Sequence, residues 1–352
     1  MNKDVRFYVL LALGLAIFPL ALHPFRGYPG LATQILIVGI GSIGFNLLLG
    51  YAGLLSYGQA MFYGVGSYMA LLTVSRFFPA HPNFWLALFI AVAFVTLMAL
   101  LIGALTVRLY GIYFALLTLA FAQMFFFVVF QWRDLTRGDD GLQGITAPTL
   151  PLGFTSLDLT TQFPPLDLGI FGNLSEVRYW YVFCAIVVFV VLAFMRTLIR
   201  SQFGEVLSAI RENEERSTFV GFDPRRYKLA AFVIAGALTG LSGALKGLYE
   251  TSTATETLSI DQSGAFVIYT IVGGVQTLLG PLVGTGIIMY LQNVISGMTD
   301  AWRLIEGLVF VAVIVFLPGG VLGTFKRQSG RGALVKSLRT SEPTAETEAR
   351  RA

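Results

Sequence analysis

The sequence predicts an all-α, polytopic membrane protein with about ten transmembrane helices, and three observations lead there. Of its 352 residues, 55% are hydrophobic and 12% charged, with a mean hydropathy of +0.73. Soluble globular domains carry roughly 25% charged residues, so this chain has too few to cover a water-soluble body of its size. The apolar residues come in blocks, most of about 17 to 24 residues, the length a helix needs to cross a ~30 Å hydrocarbon core. The blocks also lack the apolar/polar alternation of barrel strands, which leaves helices as the crossing form. A soluble enzyme, a disordered chain and a nucleic-acid module all fit these numbers poorly.

In chain order the blocks fall at about 5–21, 31–49, 61–78, 84–107, 111–131, 178–198, 229–249, 262–276, 281–297 and 303–317. Two separations are tight. Arg108-Leu109-Tyr110 divides the fourth block from the fifth, and Gly273-Gly274 to Pro281 divides the eighth from the ninth. Basic residues support both. With ten spans and the N-terminus inside, 17 of the 24 Lys and Arg fall on the inner side, where basic residues gather in membrane proteins. The C-terminus then lies inside as well. The net charge of +4 is explained by this asymmetry without a nucleic-acid partner. Lys3 and Arg6 before the first block also suit a secretory signal, but no convincing small-x-small cleavage site follows, and the span is expected to be retained.

A transmembrane body is therefore expected over 1–323, with an outer loop at 132–177 and an inner loop at 199–228. The outer loop holds two basic residues against six acidic ones; the inner loop is dense in charge of both signs. The tail, 324–352, is basic, then polar, without apolar periodicity, and reads as disordered. Five spans precede the outer loop and five follow it, starting from opposite sides. That parity permits a 5+5 inverted repeat, an arrangement that places a transport path between the halves.

The chain has no G-x-x-x-x-G-K-[ST] phosphate loop and no H-E-x-x-H, G-x-S-x-G or C-x-x-C pattern, so neither ATP hydrolysis by that route nor these enzyme chemistries are expected. Cys184 stands alone, and with only His23 and His81 a zinc site is improbable. Ion-driven carriers keep a carboxylate or histidine deep in the membrane. Here Glu306 can pair with Arg303 three residues before it, and Lys246 can snorkel from an outer end. A chain of this kind draws its energy from elsewhere or is a passive pore.

Polar groups inside apolar blocks are few: Asn46, Ser56, Gln59 and Gln123. Each must hydrogen-bond across helices or line a cavity, because an unpaired amide in the membrane is costly. Gly50, Gly53, Gly58, Gly64 and Gly66 surround two of them and permit close backbone approach or a broken helix. Gly236, Gly240, Gly243 and Gly247 form a small-xxx-small ladder that suits helix packing.

The inner segment AIRENEERSTFVGFDPRRYKLAAF, 209–232, is the most informative. Gly204 and Gly221 bracket a short helical pattern with Val206, Leu207 and Ile210 on one face and Glu212, Glu214, Glu215 and Arg216 on another, and Asp223-Pro224 ends it. Such a helix suits docking in a groove on a soluble partner. A solvated loop whose charges only fix topology explains it equally well.

The segment resembles the ATPase-contacting loop of permeases from branched-chain amino-acid uptake systems, the M-type (LivM-like) subunits of ATP-binding-cassette importers. Other stretches resemble that family in order: GYAGLLSYGQAMFYGVGSY at 50–68, GIYFALLTLAFAQ at 111–123, RGDDGLQGI at 137–145, IVGGVQTLLGPLVG at 271–284 and FLPGGVLG at 316–323. The resemblance as a whole covers about 40–325. The resemblance implies a bacterial inner-membrane permease working by ATP-driven alternating access. It implies a heterodimer with a related H-type permease, two cytoplasmic ATPase subunits holding the ATP and Mg, and an external solute-binding protein. No cofactor is implied in this chain. Arg211, Glu212, Asn213, Glu214 and Arg216 are then the expected coupling residues, with Gly221 as the helix stop. Asp139 and Asp140 are expected to meet the binding protein, and Asn46, Ser56, Gln59 and Gln123 to line the path. Two departures stand out. Arg137 replaces the family's usual Gly, and the loop ETSTATETLSIDQS at 250–263 does not match that of typical members. The family includes importers of urea, short amides and aromatic acids, so a related solute is one alternative; an ATP-independent carrier or channel, or a scaffold subunit without a path, are others.

Overall fold

Long apolar runs free of internal charge fold here as long helices, and their ends fall where the sequence supplies caps. A computed structural model describes residues 3–22, 29–78, 83–145, 150–152, 155–157, 179–299, 301–317 and 319–324. Its helices are α1 (Lys3–Leu22), α2 (Pro29–Asn46, continued by π-helical turns Leu47–Ala52), α3 (Gln59–Leu72, continued likewise over Thr73–Phe77), α4 (Phe84–Thr106), α5 (Ile112–Gln131), α6 (Arg133–Thr136), α7 (Tyr179–Arg200), α8 (Gln202–Glu212), α9 (Glu214–Phe219), α10 (Pro224–Glu250), α11 (Ile260–Gly273), α12 (Gly280–Ser296) and α13 (Trp302–Phe316). The Asn83 side chain caps α4 by accepting from Trp85 N and Leu86 N. Asp223 caps α10 with Pro224 as its first residue, and Ser259 caps α11.

Every apolar block expected from the sequence lies on a helix. Among the described residues six helical segments are long and apolar enough to cross a bilayer: Gly30–Ala52, Phe84–Thr106, Ile112–Gln131, Tyr179–Arg200, Pro224–Glu250 and Arg303–Thr324. The chain is thus a multi-pass membrane protein. α3 and α11 are shorter and carry many buried residues, so they are enclosed largely by protein and need not match the bilayer. Both tight separations are present: Gly111, at φ 57°, opens α5, and a turn over 274–279 divides α11 from α12. The all-α expectation has one small exception. Within the expected outer loop, β1 (Leu150–Leu152) pairs antiparallel with β2 (Thr155–Leu157).

α10 is the hub, packed against α2, α3 and α4. Apolar side chains gain little by leaving lipid tails for protein, so association depends on close fit. The glycine ladder supplies it. A Cβ at Gly243 would overlap the Tyr63 carbonyl, and one at Gly66 would overlap the Gly240 backbone, so α3 and α10 meet main chain to main chain. Val95 and Ala99 of α4 close on Gly240 and Gly236 from the other side. Phe62, Phe232 and Phe114 stack edge to face beside this contact.

Glu306 and Lys246, the two charges the sequence singled out inside the blocks, both have partners. Glu306 accepts from Gln292 Nε2 at 2.9 Å, an acceptor role the sequence had set beside Arg303. Lys246 binds Glu250, one turn on, at 2.7 Å instead of reaching outward alone. Cys184 is buried and free. His23, His81 and the tail from 325 lie outside the described residues.

Candidate functional site

The charged loop at 199–228 folds as two helices rather than the single one expected. Asn213 divides them: its extended backbone (φ −157°, ψ 105°) ends α8, and its Oδ1 caps α9 by accepting from Arg216 N at 2.9 Å. An Asn can serve both purposes because its short side chain reaches the next free amide. Gly204 lies inside α8, while Gly221, at φ 98°, ends the unit where the sequence placed the stop. Val206, Leu207 and Ile210 form the buried face of α8.

Two tethers bind this unit to the membrane helices. Arg211 Nη1 donates to the Gly50 carbonyl at the π-helical end of α2, and the Arg211 stem passes beside Gly53. Glu214, at the start of α9, binds Lys228 of α10 at 2.5 Å, with the Lys228 ammonium 5.1 Å from the Tyr110 ring centre between α4 and α5. Glu212, Glu215 and Arg216 remain exposed. So do Phe219 (89%) and Val220 (72%) at the tip of α9. These two were missed in the sequence, where they read as ordinary residues before a stop glycine. They give the otherwise charged loop a small apolar tip.

Above Gly53 the chain leaves helical geometry. Residues 53–58 are irregular, and α3 then begins at Gln59, whose Oε1 lies 2.8 Å from the Thr239 hydroxyl halfway along α10. Non-helical backbone at that depth must find partners within the protein. Tyr57 N donates to Thr118 Oγ1, Gly58 N to Ser56 Oγ and Ala60 N to Ser263 Oγ, at 3.0–3.2 Å. Ser56 is therefore a local cap, and Thr118 and Ser263 are partners that only the fold brings near. Gln59 is fully buried, and its Nε2 has no partner among the described residues. Gln123 lies half-buried on α5, five residues beyond Thr118, outside this cluster.

Asn46 crosses to the turn after α11. Its Nδ2 donates to Thr277 O at 2.9 Å and its Oδ1 accepts from Gln276 N at 3.2 Å, while Tyr51 Oη donates to Gln276 O at 2.9 Å. At the other end of the bundle, Asp139 and Asp140 sit exposed in a 3-10 turn, Gly138–Asp140. That turn is docked on the loop the sequence singled out as unusual: Leu142 and Thr253 exchange backbone bonds at 2.8 Å, and Thr255 Oγ1 donates to Gly138 O at 2.7 Å.

Residues 28–318 match the family model of the branched-chain amino acid transport system / permease component. The chain belongs to that family. It is a transport permease and not an enzyme. It is 25% identical over 305 residues to the high-affinity branched-chain amino acid transport system permease protein LivM of Escherichia coli (strain K12), spanning 84% of this chain and 70% of LivM. The probable LivM permease of Methanocaldococcus jannaschii is 25% identical over 260 residues, covering 71% of this chain and 69% of its own. A probable LivH permease of the same organism is 26% identical over 171 residues, 46% of this chain and 52% of its own. No solved structure is significantly similar to the chain. The matched residues of this permease include α8, α9, the break at 53–58 and the docked turn, and exclude α1. Among its described residues no cluster of His, Cys, Asp or Glu could hold a metal.

Proposed function

We propose that this chain is the M-type permease subunit of a bacterial ATP-binding-cassette importer of branched-chain amino acids. It crosses the inner membrane ten times with both termini inside, its permease body occupying 1–323. It pairs with an H-type permease, two cytoplasmic ATPases that hold the ATP and Mg, and an external solute-binding protein. The observation that carries this reading is Arg211. It joins the helix pair displaying Phe219 and Val220 to the carbonyl at the end of α2, directly before the helix break. A partner that grips α9 would therefore pull on the base of the break through one side chain. Glu212, Glu214 and Arg216 orient the grip, Asn213 keeps α8 and α9 as one hinge unit, and Gly221 terminates it. Ser56 and Gln59 at the break are the best-placed path groups, with Asn46 bracing the neighbouring turn and Gln123 further along α5. Asp139 and Asp140 face the solute-binding protein.

The test is substrate-stimulated ATPase activity of the chain purified with its co-expressed neighbours. Glu212→Ala/Arg216→Ala should weaken ATPase association. Arg211→Ala should leave association intact and lower stimulation at least several-fold. If no ATPase co-purifies, or both variants behave as wild type, the importer reading fails. The unusual loop at 250–263, docked on the Asp139 turn, favours a second reading in which the solute is a related one such as an aromatic acid, urea or a short amide. Uptake competition with these solutes separates the two.

A further inference from the structure

α2 does not end in the geometry in which it runs. Over Leu47–Ala52 it widens into π-helical turns, and Gly53 follows in the left-handed region at φ 70°. An i→i+5 turn holds one residue more than the regular i→i+4 turn. Gly53 N–H donates five residues back to Leu48 O, and Leu54 N–H reaches six residues back to the same carbonyl, at 2.9 Å. In α-helical geometry Leu54 N–H would take the carbonyl four residues back, which is that of Gly50. That carbonyl is held by Arg211 Nη1 from α8, and the Arg211 stem lies against Gly53. One side chain thus fills the acceptor that a regular helix would use and props the residue that turns away from it. Tyr51 Oη adds a second tie to the wide segment, donating to Gln276 O at 2.9 Å.

We propose that the end of α2 is a two-register switch, held in its π-helical register by Arg211. When Arg211 withdraws, Leu54 N–H passes from Leu48 O to Gly50 O and Gly53 turns right-handed. The surplus residue is then fed forward, and the chain enters the break advanced by about one residue, roughly 1.5 Å of rise and 100° of rotation. Gly53 permits the change because glycine occupies both regions at similar cost. The shift runs into 53–58, where the amides of Tyr57 and Gly58 rest on hydroxyls and not on a helical ladder, so no regular helix resists it. What draws Arg211 away rests on the coupling reading proposed above; the two registers belong to this chain alone.

Hydrogen exchange of the purified full chain, read by mass spectrometry without ATPase or substrate, tests this. Deleting Leu49 removes the surplus residue and should leave a monodisperse protein. Deleting Ile40, fully buried in the regular part of α2, turns every buried side chain beyond it and should abolish folding. Arg211→Ala should raise exchange over 53–58 about tenfold or more, since a hydrogen bond from a charged group is lost and both registers become populated. Gly53→Ala should raise it too, because a side chain disfavours the left-handed region and pushes on the Arg211 stem. In the chain lacking Leu49, Arg211→Ala should change exchange by less than about twofold, as no second register is left. An equal rise in both backgrounds would mean simple fraying and overturns the proposal. So does unchanged exchange in Arg211→Ala or in Gly53→Ala, or a Leu49 deletion that fails to fold as the Ile40 deletion does. None of these readouts involves the ATPase, so the switch and the importer reading can fail separately.

Discussion

The Asn46 side chain and the Thr277 carbonyl are joined at 2.9 Å across 231 residues of sequence, and the same amide takes the neighbouring Gln276 N–H. One side chain thereby closes two backbone groups of a turn that has no helical ladder to satisfy them. Asn46→Leu keeps the heavy-atom outline and removes both bonds. It should cost about 1–3 kcal/mol, the penalty for partly buried groups left unmet, seen as a lower midpoint in detergent unfolding and faster hydrogen exchange at 276–278. Unchanged exchange there would mean water replaces the amide at no cost.

Gly243→Ala and Gly264→Ala should diverge. A methyl at 243 meets the Tyr63 carbonyl, whereas at 264 it meets nothing within 4 Å. The first should cost about 1–3 kcal/mol or more through overpacking, and the second should be neutral or stabilising by a few tenths to about 1 kcal/mol. Monodisperse yield in size-exclusion chromatography reports the difference.

The Glu214–Lys228 pair is unequal, with side chains 26% and 6% exposed. Glu214→Ala leaves a nearly buried ammonium with only the Tyr110 ring, and should destabilise by about 1–3 kcal/mol, less than a fully buried pair because Glu214 is partly solvated. Lys228→Met should be milder, since no buried charge remains. A double-mutant cycle with thermal unfolding measures the coupling, and equal single-mutant losses would contradict this asymmetry.

Thr255→Val removes the 2.7 Å bond to Gly138 O. It should cost about 1 kcal/mol and raise protease cleavage within 137–145. Asp139→Asn/Asp140→Asn should leave cleavage unchanged, because both carboxylates point to solvent, yet should lower stimulation of ATPase activity by the solute-binding protein. Equal cleavage in all three would mean the turn is held by the Leu142–Thr253 backbone bonds alone.

Much of this architecture was legible because membrane helices announce themselves. Block length alone located α1 to α5, α7 and α10 to α13, and Arg108-Leu109-Tyr110 and Gly273-Gly274 marked the two tight separations. The α8 face was legible from Val206, Leu207 and Ile210, whose spacing is helical. Asn213 was visible as a polar residue but not as a cap, because capping depends on a φ/ψ choice that both neighbours tolerate. The break was only half visible. Ser56 and Gln59 could be seen, but Thr118 and Ser263, which satisfy its amides, stand 61 and 203 residues from their partners. Local pattern carries no information about which helix will lie alongside. Phe219 and Val220 were hidden for the opposite reason: apolar residues are assumed buried until a fold shows them outside.

An intact helix is a zipper, in which sliding one residue unfastens its neighbours. The stretch from Tyr57 to Ala60 hangs instead on three hydroxyl pegs, each from a different element and each releasable for about 1 kcal/mol. A hydroxyl also swivels, so a freed peg can catch another acceptor. This rearrangeable stretch is therefore clamped beside an unyielding joint, the glycine seam of α3 and α10. Such a pairing confines movement to a few residues, as an axle does for a wheel.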